Sequence, residues 1–316
     1  MSRSGGRVVS IVKRVLARLG YSVRPISSSS PAKLLSFNGN PRSLRYLNRR
    51  RHFLITGNME DGRSLFVFPL DGNDGHPFVG AVKEALDLSL SGGDGREVIR
   101  RRLQEFYSSY QPASAAEVLG ASGEEIPVLG AQPPWVVIKP WEDITVEERI
   151  EKIRKTEKED NGQVSNVDIS IEHGCNFCGP VSGEKLRVEV ERLCAIMHSI
   201  RSNGFRRHDF IDGDIRADIL VESSGAWRWV VKSGQHRVAV LSALGFREVP
   251  IRVETIVCRD EVEVWPQVLA GNYSREMALK VFDNIFSGVG VHERKKRAVR
   301  SEVADLMVPC NLWQFR

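Results

Sequence analysis

Acidic residues are missing from the first 59 positions, which carry twelve Lys and Arg and no Asp or Glu. The remainder holds 33 basic against 40 acidic residues, so the isoelectric point near 9.0 reflects one end of the chain. A basic excess confined in this way does not mark the whole protein as a nucleic-acid binder. Long apolar runs are lacking too. None approaches the roughly 18 residues of a membrane span, and the N-terminus lacks the charged, apolar and small-residue order of a cleaved leader. Both absences disfavour transmembrane and secreted readings and point to the cytoplasm. Cysteine is scarce: five residues, an odd number, in a chain of 316. That argues against a disulfide framework and for a reducing compartment.

Several catalytic signatures are also absent. The chain has no Gly-x4-Gly-Lys-Ser/Thr, no His-Glu-x-x-His, no Gly-x-Ser-x-Gly and no His-Arg-Asp. Gly288-Val289-Gly290 lacks the third glycine and the preceding strand of a dinucleotide fingerprint, and Ser91-Gly92-Gly93-Asp94-Gly95 lacks the strand that a phosphate loop follows. The latter reads as a plain turn.

What is present suffices for a folded chain: 41% hydrophobic residues and a net charge of +5, with room for two ordinary domains or one large one. Val8, Val9, Ile11, Val12, Val15, Leu16 and Leu19 recur at helical spacing among Arg7, Lys13, Arg14 and Arg18. The spacing predicts a short basic amphipathic helix within residues 1–24. Its residues 7–19 are suited either to an anionic membrane surface, at the inner face, or to docking on the protein itself. A Pro- and Ser-rich linker opens residues 25–163, an α/β region whose role the sequence does not disclose. In it, His52–Thr56 and Ser64–Pro69 read as strands, Phe78–Leu90 and Glu97–Tyr110 as helices, and Glu142–Asp160 as a charged helix or linker. A domain boundary is expected near Val164, followed by a domain over 164–290 and a basic tail over 291–316.

The second half is more regular. Leu186, Val190, Leu193, Cys194, Met197 and Ile200 form one apolar helical face that ends at Gly204, with Glu189 lying off it. Ile215–Glu222 and Trp227–Val231 flank Ser223-Ser224-Gly225 as a hairpin. A helix follows from about His236 to Leu244, and Val249–Val257 alternates as a strand. Between strand and helix lie Ser233, Gly234, Gln235, His236 and Arg237. A helix start offers unpaired N–H groups and a positive dipole end, glycine permits close backbone approach, and arginine presents a planar fork. Those properties suit a phosphate; solvated or acid-paired side chains are the plainer alternative.

The stretch VVKSGQHRVAVLSALGFREVPIRV, preceded by RLCAIMHSIRSNGF and ILVESSGAWRW, resembles the ParB/sulfiredoxin-like fold family over about residues 184–257. The shared signature is Gly-x-His-Arg, a small-residue helix, Leu-Gly and a strand of the Val-Pro-Val type. The resemblance implies an α+β fold with a mixed-sheet domain at 164–290. It also implies phosphate binding by Gly234, His236 and Arg237, with Ser233 and Gln235 nearby, the cofactor being ATP or another nucleotide with Mg²⁺. Related serine kinases draw catalytic carboxylates from the early helix, which singles out Glu189 beside His236 as catalytic residues; Asp212, Asp214 and Glu222 are further acids in range.

Two departures narrow the function. Gln235 stands where sulfiredoxins carry a nucleophilic cysteine, and a carboxamide cannot form their thiol-linked intermediate. After the strand, the sequence holds one amphipathic helix over about Ser274–Phe286 and no recognition helix after a tight turn. The expectation is an ATP-dependent phosphotransferase acting on a small hydroxylated acceptor, sugar- or glycan-related. The alternatives are a non-catalytic nucleotide-dependent regulator and a ParB-like nucleic-acid-binding protein.

Other constellations have plainer readings. His173, Cys175 and Cys178 supply three soft ligands of a zinc half-site but no evident fourth, and Cys-x-x-Cys lacks the strand-to-helix context of a thioredoxin-like pair. Trp135, Trp141, Trp265 and Trp313 could stack on sugars or serve as packing anchors, and the basic run His292–Arg300 could touch nucleic acid or lipid, a solvated tail being the plainer reading.

Overall fold

A strand buried along nearly its whole length belongs inside a sheet, and Ile215–Val221 is such a strand, with only Arg216 partly exposed. The computed structural model describes residues 40–47, 53–71, 75–90, 92–162, 164, 168–207 and 213–288. All of them belong to the compact unit Lys33–Arg316. The expected basic helix, the linker, the basic tail and Asp212 lie outside the described residues.

The chain order is β1 (Leu54–Asn58), β2 (Gly62–Arg63), α1 (Pro77–Leu90), α2 (Gly95–Ser109), α3 (Ala115–Val118), α4 (Pro127–Gly130), α5 (Val146–Gly162) and α6 (Gly183–Asn203). Then follow β3 (Ile215–Val221), β4 (Trp227–Ser233), α7 (Gln235–Ala243), β5 (Glu248–Cys258), α8 (Pro266–Leu269) and α9 (Arg275–Ser287). The protein is α+β, with a five-stranded mixed sheet ordered β1-β5-β3-β4-β2. The β3–β4 and β1–β5 pairs are antiparallel; β3–β5 and β2–β4 are parallel. Among the described residues no helix is long and apolar enough to cross a membrane.

The boundary expected near Val164 does not divide this sheet. β1 and β2 precede it in sequence yet pair with β5 and β4, so backbone ladders join the two halves. Trp229 of β4, fully buried, reinforces that union by donating its indole N–H to the Asn58 carbonyl at 2.8 Å.

Ser64–Pro69 is also corrected, from a strand to a turn. Ser64 N donates to the Phe68 carbonyl at 2.8 Å, its hydroxyl accepts from Phe68 N at 3.0 Å, and Val67 takes a φ of 71°. The apolar side chains Phe66, Val67 and Phe68 are nonetheless buried. Their hydrophobicity reports tertiary packing, worth about 1.5–3 kcal/mol per large side chain, and not sheet pairing. Phe66 and Phe68 join His76, Phe78, Phe106, Tyr110 and Phe177 in an aromatic cluster with edge-on and tilted contacts of 5.1–6.2 Å.

Helix α6 begins at an N-cap, the Ser182 hydroxyl accepting from Lys185 N at 3.1 Å, and stops at Gly204. Its buried residues include Val188, Val190, Leu193 and Ile200, but also Lys185 and Glu189. Glu189 is therefore not on the outer side of the helix as its spacing suggests. It faces α7, whose own first turn buries Gln235 and His236.

Candidate functional site

Gly234 sits at the strand-to-helix junction in the left-handed region, φ 89°, as the N-cap of α7. A β-carbon there would lie 3.3 Å from the Asp214 carbonyl oxygen and 3.4 Å from Ile215 Cα. Glycine thus lets the end of β4 turn tightly beside the start of β3, and β3 in turn carries a basic corner to the helix start. Arg237 donates to the Gly213 carbonyl at 2.8 Å. Arg207 and Arg252 approach opposite oxygens of Asp214 at 3.6 and 3.9 Å. Arg216, in register with Ser233 and Arg252, reaches Glu254 at 3.7 Å. Three arginines, Arg207, Arg216 and Arg252, therefore meet the two carboxylates Asp214 and Glu254, while Arg237 of α7 holds a backbone carbonyl beside them.

The five signature residues divide between two surroundings. Gln235 turns inward: its amide donates to the Val231 carbonyl at 2.9 Å and accepts from Leu65 N at 3.4 Å. His236 also turns inward, stacking on Phe78 at 4.9 Å and placing Nε2 2.5 Å from Glu189 Oε2. Both side chains are thus engaged within the protein. Ser233 ends β4 opposite Arg216.

Glu189, with no exposed surface, is the centre of a buried charge cluster. Lys185 Nζ lies 3.0 Å from its Oε1, as does Arg192 NH1. Lys185 also donates to Glu157 at 2.7 Å and to Asn161 Oδ1 at 3.0 Å, and Arg192 donates to the Asp160 carbonyl at 2.8 Å. α5, α6 and α7 are tied together by these contacts. Burial alone would raise the Glu189 carboxyl, but His236, Lys185 and Arg192 outweigh it and hold the group well below the ordinary carboxylate range. Burial pushes His236 down from the ordinary histidine value, and the Glu189 carboxylate opposes that shift. A carboxylate that takes one imidazole N–H fixes the tautomer, leaving Nδ1 as the proton acceptor. The arrangement can orient a base.

Sequence reasoning singled out Glu189 and His236 but missed the cations that stabilise Glu189. It also missed His76. Fully buried, His76 accepts from Phe78 N and Val79 N at 3.2 and 3.4 Å through Nδ1, capping α1 directly behind the Phe78–His236 stack. Burial and the nearby His236 push its pKa down to about 3.

A second buried polar cluster joins β3, β4 and the segment before α5. Lys232 Nζ lies 3.3 Å from both Asp218 Oδ2 and Glu142 Oε1, and Arg149 pairs with Glu142 at 2.7 Å. Burial would raise the Glu142 carboxyl, but Lys139, 1% exposed, with Arg149 and Lys232 outweighs it and holds the group at about 2. Asp218, also 1% exposed, has its pKa raised by burial, which Lys232 offsets only in part. Among the described residues neither of its oxygens has a well-formed hydrogen bond. A signal for it was available: a lone acid inside the apolar run IRADILV, which pairs with the strand that carries the lysine of WVVKS.

The remaining candidates separate. Glu222 lies at the far end of β3, on a cleft of about 540 Å³ also lined by Ser224, Arg259, Asp283, Asn284 and Ser287. His173 Nδ1 pairs with the Ser182 hydroxyl at 2.9 Å, not with a thiol, and among the described residues no group of three or more His, Cys, Asp and Glu is gathered to hold a metal. Trp141 and Trp265, 7% and 4% exposed, pack edge-on at 5.5 Å and against Phe282, so they are core anchors and not a sugar platform. Comparison of the chain with family models, with curated proteins and with solved structures found no match.

Proposed function

We propose that this protein binds a nucleotide at the amino end of α7 and transfers its terminal phosphoryl group to a small hydroxylated acceptor. The observation that carries this reading is the juxtaposition of a carboxylate-held imidazole, Glu189–His236, with a helix start that carries Arg237 and lies beside Asp214, the residue that Arg207 and Arg252 approach. The resemblance of residues 184–257 to the ParB/sulfiredoxin-like family points the same way.

The chemistry divides by residue. The first-turn amides of α7 and the Arg237 guanidinium hold phosphate oxygens. Arg207 and Arg252 exchange part of their long contacts with Asp214 for phosphate and stabilise the charge that spreads over the transferring group. His236 Nδ1 accepts the proton of the acceptor hydroxyl as its oxygen attacks phosphorus, and the nucleoside diphosphate leaves. Glu189 is the positioning residue for His236. Mg²⁺ would neutralise the phosphates; one or two protein carboxylates suffice for it when the phosphates supply the other ligands, and Asp214, whose backbone lies beside Gly234, would offer one.

The decisive experiment is a thermal-shift screen of ATP, ADP, CTP, GTP and sulfate, each with and without Mg²⁺, on the parent chain and on Arg237→Met and His236→Asn. A nucleotide is expected to raise the melting temperature of the parent, Arg237→Met to abolish that shift, and His236→Asn to retain binding while turnover falls about 10²–10⁴-fold. Failure of every nucleotide to shift the parent, or an undiminished shift in Arg237→Met, overturns the reading. Because Glu189 and His236 are so deeply buried, a nucleotide-dependent regulator is the second reading. Tight binding without detectable turnover identifies it.

A further inference from the structure

The Cys175-Asn176-Phe177-Cys178 turn takes no part in the proposed phosphoryl transfer, yet hydrogen bonds and ring contacts hold it in place. Cys175 and Cys178 face each other across an antiparallel bridge, with their sulfurs 3.0 Å apart. Closely paired antiparallel residues have Cα separations of about 4.5–5.5 Å, inside the range that a disulfide spans. The turn and its flanking residues are tied to the rest of the fold. Tyr107 Oη donates to the Asn176 carbonyl at 2.9 Å, Gly179 N to the Tyr110 carbonyl at 2.9 Å, and Ser182 N to the His173 carbonyl at 2.8 Å. Phe177 is clamped between Phe66 and Phe78 at 5.3 and 5.1 Å.

We propose that Cys175 and Cys178 are a reversible dithiol–disulfide couple whose oxidant is a small peroxide. The sulfurs need only close on each other, because the backbone already holds the geometry of the oxidised form. The oxidant class follows from burial: the two residues are 6% and 4% exposed, which admits a molecule the size of hydrogen peroxide more readily than a tripeptide disulfide. The thiols also divide the work. Cys178 shares its proton with Cys175, which, helped by the backbone N–H groups of Phe177 and Cys178, pushes Cys175 below the ordinary thiol range; the same contact pushes Cys178 up. Cys175 is then the nucleophile.

In the first step the Cys175 thiolate attacks one peroxide oxygen, the O–O bond breaks, and the sulfenic acid forms with release of water after protonation. The Cys178 sulfur next attacks the sulfenic sulfur, losing its proton and expelling a second water as the S–S bond forms. Two thiols are oxidised and one peroxide is reduced to two waters. A dithiol reductant reverses the change.

The test is oxidation of the reduced full-length protein with stoichiometric hydrogen peroxide, followed by thiol titration in denaturant and peptide mass mapping. Both cysteines fall in one tryptic peptide between Lys158 and Lys185. The expected result is the loss of two titratable thiols per chain, that peptide lighter by two hydrogens, and recovery of both signals with dithiothreitol. In Cys178→Ser the Cys175 sulfenic acid, left without its partner, is expected to be trapped by dimedone. The proposal is overturned if the peptide stays reduced while Cys194, Cys258 or Cys310 oxidises, or if Cys175 proceeds to sulfinic acid in the parent chain. Since the readouts are thiols and masses, they stand or fall separately from nucleotide binding.

Discussion

His236 and Glu189, 47 positions apart in the chain, meet nitrogen to oxygen at 2.5 Å in a buried setting. The contact fixes the imidazole from the α6 side while Phe78 of α1 stacks on its face at 4.9 Å. A histidine held by a carboxylate and an aromatic plane has one tautomer and one orientation, which proton transfer requires. Because burial lowers the pKa of His236, the neutral, proton-accepting form persists below the ordinary histidine range. Turnover is expected to be flat through neutral pH, with its acidic limb lying below about 6.5. A pH–rate profile checks this, and an acidic limb above that value contradicts the assignment.

Removing the charge of Glu189 tests the cluster as structure. Glu189→Gln leaves Lys185 and Arg192 with one buried counter-charge fewer, a change that costs about 3–5 kcal/mol when a buried pair is broken. The melting temperature is expected to fall by roughly 10 °C. Scanning calorimetry reads the effect, and an unchanged melt means that the cluster contributes little.

His76 provides an acid-sensitive element independent of the site's chemistry. Its pKa is about 3 in the folded protein and near the ordinary 6.5 when unfolded. Between those values the unfolded chain binds the proton and the folded chain does not, so stability falls as the pH falls from 6.5 toward 3. The loss reaches about 3 kcal/mol by pH 4. His76→Asn keeps an acceptor for the Phe78 and Val79 amides but cannot titrate. Urea midpoints measured from pH 7 to 4 are expected to drop more steeply in the parent than in this variant.

Asp218 should behave oppositely. Its folded pKa is raised by burial, so any stability it gives belongs to the protonated form and is lost as the pH rises through that value. Asp218→Asn, a neutral group of the same shape, is expected to melt at or above the parent temperature at pH 8, with the difference shrinking at pH 4. Thermal melts at the two pH values decide it. A variant that melts several degrees lower at pH 8 would instead make Asp218 the structural anchor of Lys232.

Gly234→Ala places a side chain at φ 89° with its β-carbon 3.3 Å from the Asp214 carbonyl. The conformational cost is of order 1–3 kcal/mol, and the same methyl narrows the approach to the helix start. Weaker nucleotide binding together with a modest fall in the urea midpoint is the expected pair of results. Isothermal titration and denaturation measure them separately.

Which parts of this protein could be read from the chain depends on the range of the forces involved. The succession α6, β3, β4, α7, β5 was legible because periodicity, glycine stops and a hairpin turn are local signals. Ser64–Pro69 misled for the complementary reason: its apolar residues are buried by an aromatic cluster drawn from α1, α2 and Phe177, while its backbone forms a turn. Glu189 was legible as a candidate and not as a buried group. A hydrophobic pattern counts apolar side chains, and nothing in α6 itself announces that Glu189 will be joined by His236 from α7.

Sequence alone determined the junction at Gly234, the helix start that follows it and the basic residues near it, since backbone freedom, dipole and charge belong to short stretches. Tertiary structure alone decided that Gln235 and His236 turn inward, that β1 and β2 complete a sheet whose other strands come more than 150 residues later, and that the buried Asp218 meets the half-buried Lys232. These outcomes depend on desolvation and close packing between distant segments. Such energies exist only once the segments have met, so no local pattern carries them.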